Sequence, residues 1–383
     1  MDDSSSVLPA TISYSRRRAL KQIAGTGAMF LAGSSQPGSL IAAEPTDAAE
    51  KTTIATQPGI LKIPFLYENA PFPSCHASTI VETPGGLVAA YFGGTDEGNN
   101  DVNIWVSHHD GERWSPPIEA ANGIDTDRRR YPCWNPVLFN GADGTLLLFY
   151  KVGPSPSRWW GLFKRSRDGG HTWGPVEHIP LGYFGPIRNK PIALADGTIL
   201  CGSSTEHDGW RAHIERVSPD LTDWAKTPPL NDGVKLGLIQ PTILQHANAK
   251  LQILNRSRQG RIVEMWSSDN GRTWSAPAPL SLPNPNSGID AVTLADHRQL
   301  LVYNHVAKGR SPLNVAVSPD GVTWKAALVL ENEPGEFSYP AVIQGRDGLV
   351  QITYTWNRKR IRHVTVDPAA LTLRDMPRSE WPK

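Results

Sequence analysis

Ionisable side chains that could transfer protons or attack a substrate occur at several separate places in the sequence. The candidate catalytic residues are Asp101, Glu97, Glu206, Asp290, His76 and Tyr339. A carboxyl group can donate or accept a proton, and an ionised carboxylate can act as a nucleophile. An imidazole can serve as an acid or a base near neutral pH. These residue types indicate acid-base or nucleophilic chemistry.

A second set of side chains is suited to holding a polar ligand. The candidate substrate-binding residues are Lys190, Arg256, Arg258, Arg310, Asn135, Trp134, Gln240, His305 and Trp356. Cations, amides and aromatic faces converging on one funnel are what the orientation of a sugar requires. The cations would hold an anionic or polyhydroxyl substrate.

A short box with the pattern Ser-x-Asp-x-Gly-x-Thr-Trp recurs along the chain. It is complete at residues 166–173 and 267–274, shorter at 107–114 and 318–324, and eroded at 218–224. The closing tryptophans, at positions 114, 173, 224, 274 and 324, are 59, 51, 50 and 50 residues apart, a period that indicates a propeller. The box is expected to be scaffold, because its Asp can accept backbone N–H bonds in a Gly-supported turn.

Six apolar strand pairs accompany these boxes. Their first strands are expected at residues 78–82, 135–139, 191–194, 241–244, 291–294 and 340–343. The last pair is followed by a third strand at 360–366, and residues 63–67 are expected to supply the missing outer strand. The sequence therefore predicts an all-β chain folded as a six-bladed β-propeller closed by its N-terminal strand.

The propeller would bring the candidate residues together at one rim. A hairpin places the start of its first strand and the end of its second strand at the same edge, and the residues named above lie at those points. The six rims also differ from one another in sequence. A single central pocket is therefore favoured over one sugar-binding site per blade.

The repeats and the rim residues together resemble the sialidase superfamily, in particular sialidase-like proteins with bacterial neuraminidase (Asp-box) repeats. The resemblance covers residues 65–367. It implies a six-bladed propeller whose exo-acting members hold a sugar carboxylate with three arginines, protonate the leaving group through an Asp and attack with a Tyr activated by a Glu. It also implies that no metal or organic cofactor is needed.

The resemblance assigns some of these roles to residues of this chain. The acid of the family arises from the loop that reads 94–101 here, so Asp101 and Glu97 are the leading candidates, with Asp96 behind them. The second arginine falls in the segment 254–258, which holds Arg256 and Arg258, and the third corresponds to Arg310.

Three positions depart from the family pattern. His76 stands near the first arginine, Gln240 near the activating Glu, and Phe337 where the nucleophilic Tyr is expected. Tyr339 is close by, but strict alternation along a strand would point it to the other side. Glu206 and Asp290 are the best-placed replacements for the missing base or nucleophile.

These observations favour an exported exo-acting glycoside hydrolase that removes a terminal acidic sugar from a glycan or polysaccharide. Sialic acid is no more favoured than a uronic or deoxy sugar, since one guanidinium of the carboxylate clamp is missing. Two alternatives stay open. The first is a non-catalytic sugar-binding propeller, and the second is a polysaccharide lyase that abstracts the proton beside a uronate carboxylate.

The composition bears on partners and location. With 38 Lys and Arg against 37 Asp and Glu, the net charge of +1 gives no reason to expect nucleic acid or an anionic membrane surface as partner. Residues 1–43 resemble a twin-arginine export signal, with an apolar stretch too short to span a bilayer. Residues 44–383 are expected to form one propeller domain, in the periplasm or outside the cell, and oligomeric state is not indicated.

Smaller motifs complete the sequence-based expectations. The three cysteines allow at most one disulfide, and the His residues lack metal-binding spacing, so no metal is expected. The basic runs 128–130 and 358–360 are expected to be solvated loops. The second run lies close to the predicted rim, where a positive charge could help to hold an acidic sugar.

Overall fold

The structure is a computed structural model that describes residues 54–125 and 128–382. The proposed export signal lies outside the described residues. The strands of the first half are β1 (Ile60–Lys62), β2 (Ser74–Thr83), β3 (Gly86–Gly94), β4 (Asn103–His109), β5 (Ile118–Ala121), β6 (Cys133–Asn140), β7 (Leu146–Val152), β8 (Trp160–Ser166), β9 (Glu177–His178), β10 (Ile192–Ala193), β11 (Ile199–Thr205), β12 (Arg211–Val217) and β13 (Trp224–Lys226).

The second half continues the same pattern. Its strands are β14 (Leu238–Gln245), β15 (Leu251–Ser257), β16 (Arg261–Ser267), β17 (Ala278–Pro283), β18 (Asp290–Thr293), β19 (Gln299–Tyr303), β20 (Leu313–Ser318), β21 (Lys325–Glu331), β22 (Phe337–Gln344), β23 (Val350–Trp356) and β24 (Arg360–Val366). Two short 3₁₀ helices, Ala247–Ala249 and Pro377–Ser379, are the helices for which bounds are assigned in the described residues. In these residues no helix has the length and apolarity needed to cross a membrane.

Consecutive strands pair into six antiparallel sheets of four strands each. Blades 1 to 5 are β2–β5, β6–β9, β10–β13, β14–β17 and β18–β21, and blade 6 combines β22–β24 with β1. The first strands of neighbouring blades are joined by hydrogen bonds such as Leu138 N to Thr79 Oγ1 and Val342 N to Asp290 Oδ2. The prediction of an all-β, six-bladed β-propeller closed by the N-terminal strand is confirmed.

The closing strand lies slightly earlier in the chain than predicted. Ile60 pairs with Val366 and Lys62 with Thr365, whereas Phe65 makes only an isolated bridge to Arg362. Pro64 lacks a backbone N–H and therefore cannot continue the ladder as a donor. Farther upstream, the side-chain amide of Gln57 donates to Val329 O at 2.7 Å and accepts from Val329 N at 2.9 Å. The N-terminal segment thus pairs with blade 6 and is also tied to blade 5.

The hydrophobic core consists of clusters packed within and between blades. Second strands contribute the largest buried side chains, the tyrosines at positions 91, 150, 303 and 354, all fully buried. The three cysteines, at positions 75, 133 and 201, are buried and free. These strands are buried along nearly their whole length, as β7 and β19 show, so both faces of each sheet pack against neighbouring blades.

The Asp boxes form self-contained turns. Asp269 Oδ1 accepts from Thr273 N at 2.9 Å, its Oδ2 accepts from Thr273 Oγ1 at 2.6 Å, and Ser267 Oγ donates to Oδ1 at 2.8 Å. The box at Asp168 has the same pattern of bonds. Every carboxylate oxygen is engaged within its own turn, in agreement with a scaffold role.

Four first strands carry the same backbone irregularity at the rim. In β2, β6, β14 and β22 the register gains one residue, at His76/Thr79, Trp134/Val137, Ile239/Thr242 and Ser338/Ala341. The residue inside each bulge has a positive φ: Ala77 55°, Asn135 36°, Gln240 55° and Tyr339 53°. A bulge redirects the side chain that it carries.

Candidate active site at the axial mouth of the ring

A cavity of about 240 Å³ opens where the starts of the first strands meet the ends of the second strands. Its lining is Glu97, Trp134, Asn135, Pro156, Trp159, Glu206, Trp210, Ile239, Gln240, Arg256, Arg310, Tyr339 and Arg358. Two larger grooves, of about 840 and 820 Å³, lie at the hairpin-turn end beside blade 1. The axial cavity is the candidate site, because three guanidinium groups, two carboxylates and a phenol meet there in one small volume.

Tyr339 lies at the floor of the cavity, and the expectation that it points away from the site is wrong. Strict alternation would hold in a regular strand, but the bulge at Ser338/Ala341 inserts one residue and turns the side chain towards the axis. Arg256 Nη1 donates to the Tyr339 hydroxyl at 2.6 Å. Phe337 instead is fully buried and packs near Trp356.

The charges around Tyr339 favour its ionised form. Burial alone would raise the pKa of the phenol, but the guanidiniums of Arg256 and Arg310 outweigh it, and the pKa lies below its ordinary value. The Cζ atoms of these arginines lie 5.6 and 5.5 Å from the ring centroid. Tyr339 is therefore a buried phenol made more acidic by its neighbours.

Three arginines line the cavity together. Arg256 comes from the end of β15, Arg310 from the loop before β20, and Arg358 from the turn between β23 and β24. Glu336 holds two of them, accepting from Arg310 Nη1 at 2.5 Å and from Arg358 Nε at 2.9 Å. A group of guanidiniums at one wall suits a carboxylate-bearing ligand.

Arg358 was not among the residues selected from the sequence. Asn357 and Arg358 both have positive φ, 49° and 54°, in the tight turn that ends β23. The turn places Arg358 beside the start of blade 1, where Cys75 N donates to Arg358 O at 2.8 Å. A guanidinium from blade 6 therefore stands next to the position where the family pattern has its first arginine and this chain has His76. The sequence feature that pointed to Arg358 is the basic run 358–360, which lies close to the predicted rim.

Two carboxylates face the cavity from different blades. Glu97, in the loop after β3, is ion-paired with Arg358 Nη1. Glu206, just after β11, is a different case, because burial raises its pKa above the ordinary value despite the opposing effects of Arg256, Trp210 and Arg258. Glu206 is thus the carboxyl group in the cavity whose surroundings favour the protonated form.

Asp101 lies outside the cavity lining. Its Oδ2 accepts from Thr95 N at 2.9 Å and from Thr95 Oγ1 at 2.5 Å, so the carboxylate closes the loop after β3 upon itself. These hydrogen bonds from Thr95 lower its pKa, which opposes service as a proton donor. Of the two leading acid candidates from this loop, the structure brings only Glu97 into the cavity.

Asp290 and Lys190 are also placed elsewhere, within the axial tunnel. Asp290 is 1% exposed and accepts from Lys190 Nζ at 2.9 Å, from Thr242 Oγ1 at 2.7 Å and from Val342 N at 2.9 Å. Because its oxygens are fully engaged by three other blades, Asp290 fastens the ring. Neither a base role for Asp290 nor substrate binding by Lys190 fits this position.

His76 does not fit the role of an acid or base near neutral pH. Burial lowers its pKa well below the ordinary value, and four nearby arginines, beginning with Arg358, lower it further. Its Nδ1 lies 2.9 Å from Thr355 Oγ1, and its ring centroid is 4.1 Å from that of Tyr339. His76 is therefore a neutral packing partner of the phenol.

The remaining substrate-binding candidates divide into two groups. Trp134, Asn135 and Gln240 line the cavity, as do Arg256 and Arg310. Those outside the lining are Arg258, which stacks on Trp210 at 4.2 Å, His305, which bonds Tyr303 and Ser379, and Trp356, which packs on Phe65.

Part of the cavity wall is aromatic. Trp134, Trp159 and Trp210 line it, and the first two indoles pack edge to face at 6.0 Å. Trp159 and Trp210 were missed, although each directly precedes a third strand of its blade. Among the described residues, no three His, Cys, Asp or Glu side chains come together as a metal site.

Comparison with known proteins agrees with this architecture. A family profile described as "BNR repeat-like domain" matches residues 85–352, whereas the search of curated proteins gave no significant match. A Dyadobacter fermentans protein of unknown function is 16% identical and has a TM-score of 0.68, over 81% of this chain and 99% of that chain.

Two further solved structures share the fold. The NanB sialidase from Streptococcus pneumoniae is 12% identical, with a TM-score of 0.67 over 86% of this chain and 73% of that chain. The Penicillium chrysogenum α-L-arabinanase is 17% identical, with a TM-score of 0.61 over 82% of this chain and 100% of that chain. At these identities the likeness shows the fold alone.

Proposed function

Because the chain belongs to the family of BNR repeat-like domains, we propose that it is a glycoside hydrolase that removes a terminal acidic sugar from a glycan. One observation carries the proposal. A buried phenol with a lowered pKa, a carboxyl group with a raised pKa and three guanidiniums share one cavity. Titratable groups whose surroundings drive their pKa values apart are the arrangement that acid-base catalysis uses.

The guanidiniums supply the substrate preference. Arg256, Arg310 and Arg358 line the same cavity, and Glu336 fixes the orientation of the latter two. Each charge-assisted hydrogen bond to a substrate carboxylate contributes about 1.5–3 kcal/mol. The substrate class is therefore a sugar acid, with the aromatic wall of Trp134, Trp159 and Trp210 packing against apolar faces of the ring.

In the proposed reaction Tyr339 is the nucleophile and Glu206 is the general acid and base. The Tyr339 phenolate attacks the anomeric carbon while the glycosidic C–O bond breaks, and Glu206 gives its proton to the leaving oxygen. A water molecule then attacks the glycosyl-tyrosine, with Glu206 as the base that accepts the proton of the water, and Tyr339 leaves. The net reaction is hydrolysis with retention of configuration, and it requires no oxidant or metal.

The fold supports sugar chemistry in general terms. The two named enzymes that share it are a sialidase and an α-L-arabinanase, so hydrolysis of different glycosides is found on this architecture. Which of these substrates applies here depends on the cavity, whose arginines favour an acid over a neutral arabinoside. Export through the signal-like residues 1–43 is part of the same proposal, because it would bring the enzyme to extracellular glycans.

A substrate panel tests the proposal. The purified chain is incubated with aryl glycosides of sialic, glucuronic, galacturonic and neutral sugars and with uronate oligosaccharides, and released phenol and new double-bond absorbance are recorded. We expect phenol release from an acidic glycoside and a loss of about 10³-fold or more in kcat/KM for Tyr339→Phe. Tyr183→Phe is the matched control, since its hydroxyl bonds Trp224 O outside the cavity.

The other outcomes identify the alternatives. Double-bond absorbance without phenol release would identify a lyase, in which Tyr339 takes the proton beside the uronate carboxylate. Binding of the acidic sugars without any turnover would identify a sugar-binding propeller. Either result overturns the hydrolase proposal.

A further inference from the structure

A buried arginine that does not line the cavity lies against the ring of Tyr339. Arg188 is 3% exposed, and its Cζ is 5.0 Å from the centroid of the Tyr339 ring. It is absent from the cavity lining, so its contact with the phenol ring lies behind the cavity surface. Fully buried arginines are rare unless their charge is paired, so this position calls for an explanation.

The partners of Arg188 are neutral. Its Nη1 donates to Ile289 O at 2.9 Å and to Asn189 Oδ1, and its Nη2 donates to Pro340 O. The Nε atom is buried and has no hydrogen-bond partner in the structure. Among the described residues no carboxylate forms an ion pair with it, and Asp290 is already engaged by Lys190. The guanidinium is thus hydrogen-bonded to neutral acceptors, and no carboxylate of the described residues is ion-paired with it.

Arg188 lies in an irregular segment that precedes an unusually short first strand. In blade 3 the first strand, β10, has only two residues, and the segment before it runs irregularly into the axis. The segment is held by buried charges: Lys151 Nζ donates to Pro186 O, and Glu215 accepts from Phe184 N and Gly185 N, the latter at 2.7 Å.

A glycine completes the contact from the side. A Cβ at Gly288 would lie 3.2 Å from both Cγ and Cδ2 of Tyr339 and 3.4 Å from Arg188 Nε. Both distances are at or inside the tight end of ordinary van der Waals contact, so Gly288 leaves the space in which the phenol ring and the guanidinium meet.

We propose that Arg188 is a positioning residue that stabilises the ionised form of Tyr339 from beneath, in place of the carboxylate that an activated tyrosine would otherwise use. The proposal rests on the proposed function, in which Tyr339 is the nucleophile. Gln240 occupies the place where a carboxylate is expected, and it can only donate or accept a hydrogen bond. A fixed positive charge near the ring lowers the cost of the phenolate without accepting its proton, which goes to solvent.

The other groups that face Tyr339 must be weighed with it. Arg256 and Arg310 favour the phenolate from the cavity side, and Glu97 opposes it. His76 contacts the ring but is kept neutral by burial and by the arginines. Burial lowers the pKa of Arg188 to about 10, and both Asp290 and Tyr339 offset part of this effect, so the guanidinium stays charged at neutral pH.

The test is a spectroscopic titration that does not depend on turnover. The absorbance of ionised tyrosine is recorded against pH for the wild type and for Tyr339→Phe, and the difference isolates Tyr339. We expect Arg188→Gln to move this titration upward by about one pH unit or more, and Arg188→Lys to leave it near the wild-type position. Where turnover is found, the acid limb of kcat/KM moves by the same amount.

The controls separate charge from structure. Arg216→Gln is matched, since its guanidinium also donates to a backbone carbonyl, Asn270 O, but lies on the outer part of blade 3. A folded Arg188→Gln with an unmoved titration would overturn the inference, as would a wild-type Tyr339 that ionises no more readily than free tyrosine, whether or not the variants fold.

The same data distinguish the inference from the proposed function. A shifted titration in a protein that hydrolyses nothing supports the inference and removes the function. Hydrolysis that depends on Tyr339 together with an unmoved titration supports the function and removes the inference.

Discussion

Asp290, a charged residue in the axial tunnel, has a structural role, unlike the charged residues that line the cavity. Asp290 receives hydrogen bonds from Lys190, Thr242 and Val342, which belong to three other blades or their connecting segments. A buried ion whose partners are all satisfied contributes to the integrity of the ring, and removal of its charge leaves a buried cation unpaired.

We therefore predict that Asp290→Asn lowers the free energy of unfolding by about 3–5 kcal/mol, because Lys190 loses its counter-ion. The measurement is equilibrium unfolding in urea at neutral pH. Asp208→Asn is the control, since its ion pair with Arg211 is exposed and contributes little. A stable Asp290→Asn variant without turnover would mean that Asp290 does chemistry after all.

Glu206 is the residue on which the acid assignment depends. We predict that Glu206→Gln lowers kcat/KM by about 10²–10⁴-fold for glycosides with poor leaving groups and much less for activated aryl glycosides, which need no proton. The measurement compares two leaving groups at one pH. Asp101→Asn serves as the control, and equal losses for both leaving groups would contradict a proton-donor role.

Part of the candidate site was predictable from the types of residue at the strand ends. Arg256, Arg310, Glu97, Glu206 and Tyr339 are all in the lining, because charged side chains at strand ends of a propeller meet at its axis. Asp101 and Asp290 were misplaced for a physical reason. Whether a carboxylate faces a cavity or closes a turn depends on hydrogen bonds that spacing does not encode.

Among the elements, the Asp boxes carry a pH-dependent contribution to stability. Hydrogen bonds from Thr273, ahead of the smaller effects of Ser267 and Arg272, hold the pKa of Asp269 at about 2, below its ordinary value. A group with a depressed folded pKa stabilises the fold above its unfolded pKa, and this stabilisation is lost as the pH falls through the interval down to the folded value.

We predict that Asp269→Asn lowers Tm by about 1–3 °C at pH 7 and that the difference from wild type shrinks as the pH falls from about 4 to about 2. Thermal unfolding across this pH range is the measurement. Asp375→Asn, which removes an exposed ion pair with Lys325, is the control. A difference that grows on acidification would refute the assignment.

Elements were predictable where a local pattern fixes them. The boxes, hairpins and strand order followed from turn residues and apolar runs, since these determine structure within a few neighbours. The bulge at Tyr339 and the tight turn at Arg358 were not predicted, because neither contains the glycine that marks a positive φ. The wrong expectation for the direction of Tyr339 and the omission of Arg358 both come from such non-glycine positions.

At the scale of the whole molecule, ring closure joins the two ends of the described chain. The strand β1 pairs with β24, and the Gln57 amide makes two bonds to the backbone of Val329 in the neighbouring blade. The closure was foreseen from the missing outer strand, but its contact with a second blade was not, because a single glutamine carries no sequence signal.

We predict that Gln57→Ala lowers Tm by about 2–4 °C and leaves kcat and KM unchanged, since neither Gln57 nor Val329 lines the cavity. Thermal unfolding and steady-state kinetics are measured side by side. Gln259→Ala removes one exposed bond to Lys235 O and is the control. A change in KM would show that closure and cavity are coupled.

The four bulged positions around the axis have a consequence for the chemistry of the site. Ala77, Asn135, Gln240 and Tyr339 share one backbone conformation although their side chains differ in size and chemistry. Three of them, Asn135, Gln240 and Tyr339, line the cavity, so a change of side chain at one of these three bulges changes the chemistry that faces a ligand, while the bulge itself is a feature of the main chain. Three blades thus offer the same main-chain position for side chains of different chemistry.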